Sequence, residues 1–240
     1  DNVAPLRAIA VIQAGTGVGK SLAYCAPAIA LALARNTRVL ISTATVALQE
    51  QLVNKDLPAL AAQLAQPFNF ALAKGRGRYV CKLKLERLAG TGEAHDEDEG
   101  DLFPEEAFAA RPQHETEARL QFYAAMAQTL SSGAWDGDRD SLDTPPELEV
   151  WSPVAAEGAT CTGKHCPAFN QCTYYDKRKE LVGAQVIVAN HDLLLSSLGA
   201  RMLPELDNCL LVLDEAHHLP AIALGRPQQQ TAAQPRARAT

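Results

Sequence analysis

Ala14-Gly15-Thr16-Gly17-Val18-Gly19-Lys20-Ser21 is the stretch whose reading decides the fold. A short apolar run (residues 9–13, IAVIQ) precedes it, and residues 21–34, rich in Ala and Leu, follow. That order predicts a buried strand, a glycine-rich turn and a buried helix, the setting of a phosphate-binding loop. Gly15, Gly17 and Gly19 let the backbone curl so that successive N–H groups face phosphate oxygens. The helix adds the partial positive charge of its N-terminus. Lys20 has the reach for the β- and γ-phosphates of ATP, and Ser21 can set its hydroxyl on Mg²⁺. The strict pattern begins with Gly where this chain has Ala14, which narrows the kind of loop without removing it. The whole segment 14–21 is therefore the candidate nucleotide-binding element.

A second segment supplies what such a loop needs. Leu210-Leu-Val-Leu-Asp214-Glu215-Ala-His217 is an apolar run ending in two carboxylates. Phosphoryl transfer requires an acidic group at the carboxyl end of a neighbouring strand to hold magnesium, and a group to position the attacking water. Asp214 suits the first task and Glu215 the second. His217 is placed to couple the nucleotide site to neighbouring segments. Together with Lys20 these are the candidate catalytic residues. A metal site on His217 and His218 is disfavoured, because adjacent histidines on one turn diverge.

Working outward, residues 37–43 (TRVLIST) predict a second strand and 46–64 a helix broken at Pro58. Residues 68–73 predict a third strand, 184–189 (AQVIVA) and 209–213 (CLLVL) two buried parallel strands, and 191–198 a helix. Between them the character changes. A short helix follows Cys81, residues 115–130 form a helix, and 131–160 are irregular. These breaks set the expected boundaries: 1–74 and 183–220 as two parts of one α/β domain, 75–182 as an insertion, and 221–240 as a disordered or non-native tail.

Bulk composition excludes some classes. Hydrophobic content of 47% and charged content of 21% describe a globular chain. No apolar run is long enough for a membrane helix, no signal pattern opens the sequence, and the expected location is the cytoplasm. The net charge of −6 is local in origin, since residues 93–106 hold eight acidic side chains and no Lys or Arg. Without that block, which reads as a solvated loop, the remainder is net positive.

Cys161, Cys166 and Cys172 have the spacing C-x4-C-x5-C, and Cys81 lies far upstream. Four thiolates could hold a cubane cluster or a tetrahedral zinc. The tight C-x2-C pairs of zinc ribbons are absent, and one remote ligand with three loosely spaced ones suits a larger cluster better. Cys25 and Cys209 fall in apolar segments and read as core residues. Basic and aromatic residues crowd the thiols: Arg76, Arg78, Tyr79, Lys82 and Lys84 near the first, and Lys164, Phe169, Tyr174, Tyr175, Lys177, Arg178 and Lys179 near the others. Cations that track phosphates and rings that stack bases would make a single-strand path. Rings packed on the cluster and solvated cations would look the same in sequence.

The segments AGTGVGKS, STATVALQEQL, KGRGRYVC, the cysteine triplet, VIVANHDLLL and LLVLDEAHHLP occur here in one order. In that order they resemble the DinG-type helicases, bacterial relatives of the XPD iron–sulfur helicases of superfamily 2, over about residues 8–220. The resemblance implies a RecA-like P-loop NTPase domain with a parallel sheet, interrupted by a mostly helical iron–sulfur insertion. It implies a 4Fe–4S cluster on Cys81, Cys161, Cys166 and Cys172. It also implies ATP with Mg²⁺ as the nucleotide, a monomer acting on single-stranded DNA and DNA junctions in DNA repair, and 5′→3′ unwinding with residues 42–52 along the strand. A paralogous group shares these segments. The family's adenine-reading glutamine segment and second motor domain, with its arginine, are not found, so the chain by itself is expected to bind nucleotide weakly and not to unwind DNA. Two other classes use similar parts: a nucleotide kinase with structural zinc, and a non-hydrolytic single-strand binder tuned by cluster redox state. The kinase would lack the Asp-Glu-Ala-His strand, and the binder would need no ATP.

Overall fold

A computed structural model describes residues 8–15, 17–90, 113–200, 203 and 208–225, with side chains of 113–116 and 199–200 excepted. Thr16, the acidic block at 93–106 and the tail beyond Gly225 lie outside the described residues. The chain divides into two compact units, residues 1–72 with 184–240, and residues 73–183.

The first unit is α/β. Helix α1 (Lys20–Arg35) leads into strand β1 (Arg38–Thr43). A helical stretch follows, comprising α2 (Val46–Gln51), a π turn (Leu52–Asp56) and α3 (Leu57–Gln63). It delivers the chain to β2 (Phe70–Leu72). The chain returns to this unit at β3 (Val186–Asn190), and β4 (Cys209–Leu213) is its last strand among the described residues. The sheet order is β2-β3-β1-β4, and every neighbouring pair is parallel. Parallel neighbours cannot be joined by tight turns, so helices must carry the crossovers. The sheet packs on α1 and the π-turn stretch through Cys25, Ile29, Val39, Ile41, Leu52, Leu57 and Val188.

Local sequence explains the ends of these elements. Asn36 in the left-handed region closes α1, its N–H returning to the carbonyls of Ala32 and Leu33. Thr45 caps α2 by accepting the Leu48 N–H. The break expected at Pro58 is a change of winding: the π turn lies before it, and Pro58 sits in the first turn of α3, where its missing N–H is not needed.

Three expectations are corrected. Residues 9–13 form no strand. Ile9, Val11 and Ile12 are 89%, 93% and 85% exposed, because no sheet edge among the described residues pairs with them. Strand β4 is parallel, as expected, but not buried: among the described residues it is an edge strand, and Leu211 and Leu213 remain exposed. Residues 219–224, partly within the expected irregular tail, are helical (Leu219–Leu224), with Pro220 at the helix start.

The second unit is built on Val80, Leu85, Tyr123, Met126, Trp135, Trp151 and Val154. Helix α4 (Lys82–Ala89) and helix α5 (Gln113–Ser131) supply most of its regular structure. Its buried polar atoms are satisfied: Trp151 Nε1 donates to the Gly77 carbonyl at 2.6 Å, Trp135 Nε1 to Asp138 at 2.8 Å, and the Tyr123 hydroxyl to Val150 at 2.8 Å. Isolated antiparallel bridges join Tyr79 to Asp138 and Val80 to Ala155. Gly137 sits at φ +83°, and a Cβ there would lie 2.3 Å from Thr173 Cγ2, the residue whose hydroxyl donates to the Val80 carbonyl at 2.7 Å. Gly137→Ala is therefore expected to destabilise this unit by about 2–3 kcal/mol through strain and displacement of Thr173. Gly158→Ala, with open space at its Cβ, should cost less than about 0.5 kcal/mol. Urea unfolding of the two variants side by side checks the contrast, and equal midpoints would contradict it.

Candidate functional site

Lys20 is the first residue of α1, and the loop before it is open to solvent. Gly17 and Gly19 have φ of 78° and 76°, a left-handed pair that L side chains resist. Ala14, Gly15, Gly17, Val18 and Gly19 are all exposed, and Ser21 is half-buried at the helix start. From the other end of the sequence, β4 delivers Asp214 and Glu215 to the same place. The Asp214 N–H donates to the Ser42 carbonyl at 2.8 Å, which continues the β1–β4 ladder into the acidic turn. Lys20 Nζ is ion-paired and hydrogen-bonded to the Glu215 carboxylate. His217 is exposed, its Nδ1 3.4 Å from the other Glu215 oxygen. The His217 and His218 rings do not diverge but lie 4.1 Å apart, centroid to centroid. Lys20, Asp214, Glu215 and His217 are thus gathered at one end of the sheet.

The electrostatics follow from this pairing. The Glu215 carboxyl is held below its ordinary range, first by the hydrogen bond from Lys20, and Lys20 is raised by the same bond. A depressed carboxyl contributes above its unfolded pKa and is lost as pH falls through the folded value, so the pair is intact at neutral pH. Glu215 itself has φ 53°, ψ 42°, a left-handed conformation costly for a residue with a Cβ.

Two partners escaped sequence reasoning. The Tyr24 hydroxyl donates to Asp214 Oδ2 at 3.3 Å, and burial together with the Asp214 charge raises its pKa. Its spacing of four from Lys20 on one helix face was the available signal. The second is the buried pair of Ser42 and His191, whose Oγ and Nδ1 are 2.7 Å apart. Nothing local marked these two as neighbours.

In the second unit, Cys81, Cys161, Cys166 and Cys172 line one cavity of about 200 Å³, together with Arg76, Leu83, Ala156, Phe169, Tyr174 and Tyr175. Cys81 precedes α4 and is anchored by its N–H donating to Val154 at 2.7 Å. The Gly163 N–H donates to Cys161 Sγ at 3.4 Å. Cys172 leads into helix α7 (Thr173–Gly183), after the short helix α6 (Leu148–Trp151). Burial, and then the nearby Cys161 and Cys81, push the Cys172 thiol up against opposing backbone hydrogen bonds. Among the described residues no three Cys, His, Asp or Glu side chains are gathered closely enough for a single metal ion.

The flanking cations and rings are mostly committed within the protein. Tyr79 and Tyr174 are buried, so they pack rather than present faces. Arg76 lies 4.4 Å over the Tyr174 ring. Arg78 pairs with Asp140 at 3.1 Å, Lys84 with Glu157 at 3.3 Å, Lys177 with Asp136 at 3.3 Å, and Lys179 with Asp176 at 2.6 Å. Lys82 bonds Gln171 and lies 3.5 Å from Glu86.

Comparison with known proteins fits this geometry. Residues 4–76 match the DEAD/DEAH box helicase family and residues 155–226 the DEAD_2 family. The chain is 42% identical over 214 residues to the ATP-dependent DNA helicase DinG of Photobacterium profundum, covering 88% of this chain and 29% of that protein. It is 37% identical over 213 residues to the ATP-dependent DNA helicase DinG of Escherichia coli, with the same coverage. The chain carries DEAD and DEAD_2 helicase domain segments and is similar in sequence to DinG helicases. The chain spans less than a third of the length of the relatives it matches. The two family matches fall on the loop of Lys20 and on the segment holding the cysteine triplet and Asp214.

Thiol environment gives a direct check of the geometry. Cys25 is fully buried and its pKa is pushed up to about 12, chiefly by burial, whereas Cys161 is exposed. Iodoacetamide at pH 8, applied to metal-free folded protein, is expected to alkylate Cys161 first and leave Cys25 unmodified on peptide mass analysis. Equal labelling of the two would contradict the arrangement.

Proposed function

We propose that this chain is the first motor portion of an ATP-dependent 5′→3′ DNA helicase that translocates on single-stranded DNA and carries a 4Fe–4S cluster. The observation that carries the reading is the pairing of Lys20 with Glu215, beside Asp214, across almost the whole sequence. In an ATP complex, Lys20 would leave Glu215 for the β- and γ-phosphates, while the backbone N–H groups of residues 15–19 cradle them. Ser21 and Asp214 would face the magnesium. Glu215, released from Lys20, would accept a hydrogen bond from the attacking water and orient it. His217, next to Glu215, would pass the state of the site to neighbouring segments. Residues 42–52 would lie along the DNA strand, in the cytoplasm and in a monomer.

The donor set fits a cluster better than a zinc ion. Four thiols share one cavity, and one remote cysteine with a C-x4-C-x5-C triplet lacks the tight C-x2-C pairs of a zinc ribbon. Cys81, Cys161, Cys166 and Cys172 would hold the cluster, and Arg76 would sit beside it as a counter-charge. When bound, the cluster would cross-link these otherwise irregular segments into a rigid wedge near a duplex junction.

The test is Lys20→Ala in the intact protein that contains this chain. Hydrolysis stimulated by single-stranded DNA, and strand displacement of a 5′-tailed duplex, should both fall by about 100-fold or more. Iron and labile sulfide should stay near four each per protein. Undiminished hydrolysis would overturn the motor reading, and zinc in place of iron would overturn the cluster.

A further inference from the structure

His191 is wholly buried, and no role assigned above uses it. It follows β3 directly and begins helix α8 (His191–Ala200), whose start is capped by Asn190 Oδ1 accepting the Leu193 N–H at 2.7 Å. Because β1 lies between β3 and β4, a side chain at this position looks across the end of β1 towards the end of β4. One edge of the ring meets Ser42, with Nδ1 and Oγ 2.7 Å apart. The other edge faces the backbone of Asp214 and Glu215. There Nε2 is buried near that backbone but makes no hydrogen bond of good geometry. When the Ser42 hydroxyl donates to Nδ1, the neutral ring carries its proton on Nε2, aimed at the acidic turn.

Ser42 is touched from both sides. Its hydroxyl bonds His191 and its carbonyl accepts the Asp214 N–H. Ahead of it, the Thr43 hydroxyl donates to the Thr45 carbonyl at 3.2 Å, and Thr45 caps α2. Residues 42–51 are therefore fastened to Ser42 as one piece. On the far side, Glu215 holds a left-handed conformation that persists only while its surroundings impose it.

We infer that His191, through Ser42, is a positioning residue that couples engagement of DNA along residues 42–52 to the setting of Asp214 and Glu215. This rests on the proposed motor function. The geometry places the communication inside the sheet, in one buried hydrogen bond between strand ends.

Two isosteric replacements separate the ring's edges. His191→Asn keeps an amide atom near the Nδ1 position and so keeps the Ser42 bond. His191→Gln places its amide near Nε2 and loses that bond, as does Ser42→Ala. In the intact protein, His191→Gln and Ser42→Ala are each expected to lower DNA-stimulated ATP turnover by about tenfold, a coupling-sized effect. Affinity for a fluorescent ATP analogue with magnesium should move by less than about twofold, the double variant should be no worse than either single one, and His191→Asn should retain most of the stimulation. Undiminished stimulation in the two bond-losing variants would overturn the inference. So would a loss matched by falling nucleotide affinity, or effects that multiply in the double variant. If the unaltered protein shows no DNA-stimulated turnover, the motor reading itself fails and takes the coupling with it.

Discussion

Lys20 and Glu215 are separated by 195 positions and meet in one ion pair. No local propensity can produce such a contact. It requires β4 to lie beside β1 in a parallel register, so that Asp214 and Glu215 leave the sheet where α1 begins. Residues 39–43 of β1 are buried throughout, and the register matters because Val39 and Ile41 share the core with α1, so that a slip of one residue would put Leu40 and Ser42 in their place. The acidic turn and the phosphate loop are thus two consequences of one sheet alignment.

The second unit solves a different physical problem. It has little sheet, only two isolated bridges among the described residues, and gathers four thiols from segments that lack regular structure. Tryptophans with satisfied indole N–H groups, and the close approach at Gly137, hold those segments in place. Most of the cations around the thiols are paired with carboxylates, and two of the tyrosines are buried. Such pairs at the surface are weak and exchangeable, so they neutralise the unit without locking it.

Much of this was legible in sequence because each signal was local. The glycines before Lys20 dictate a loop that glycine alone adopts cheaply, and the apolar run before Asp214 dictates a strand that ends in carboxylates. Residues 9–13 misled for the converse reason: an apolar run specifies a wish to be buried, while a strand exists only where an edge receives it. The burial of β4 was misjudged in the same way, since edge position belongs to the assembled sheet. Tyr24 could have been found from helical spacing. Ser42 and His191 could not, because their neighbourhood is created by β3 inserting beside β1, an order that strand sequence does not reveal.

A structure of the intact protein with magnesium and a non-hydrolysable ATP analogue would test the central claim most directly. Lys20 Nζ should be found on the phosphates with its bond to Glu215 broken, and Asp214 should face the metal. Nucleotide bound elsewhere, or bound here with the Lys20–Glu215 pair still closed, would contradict the account.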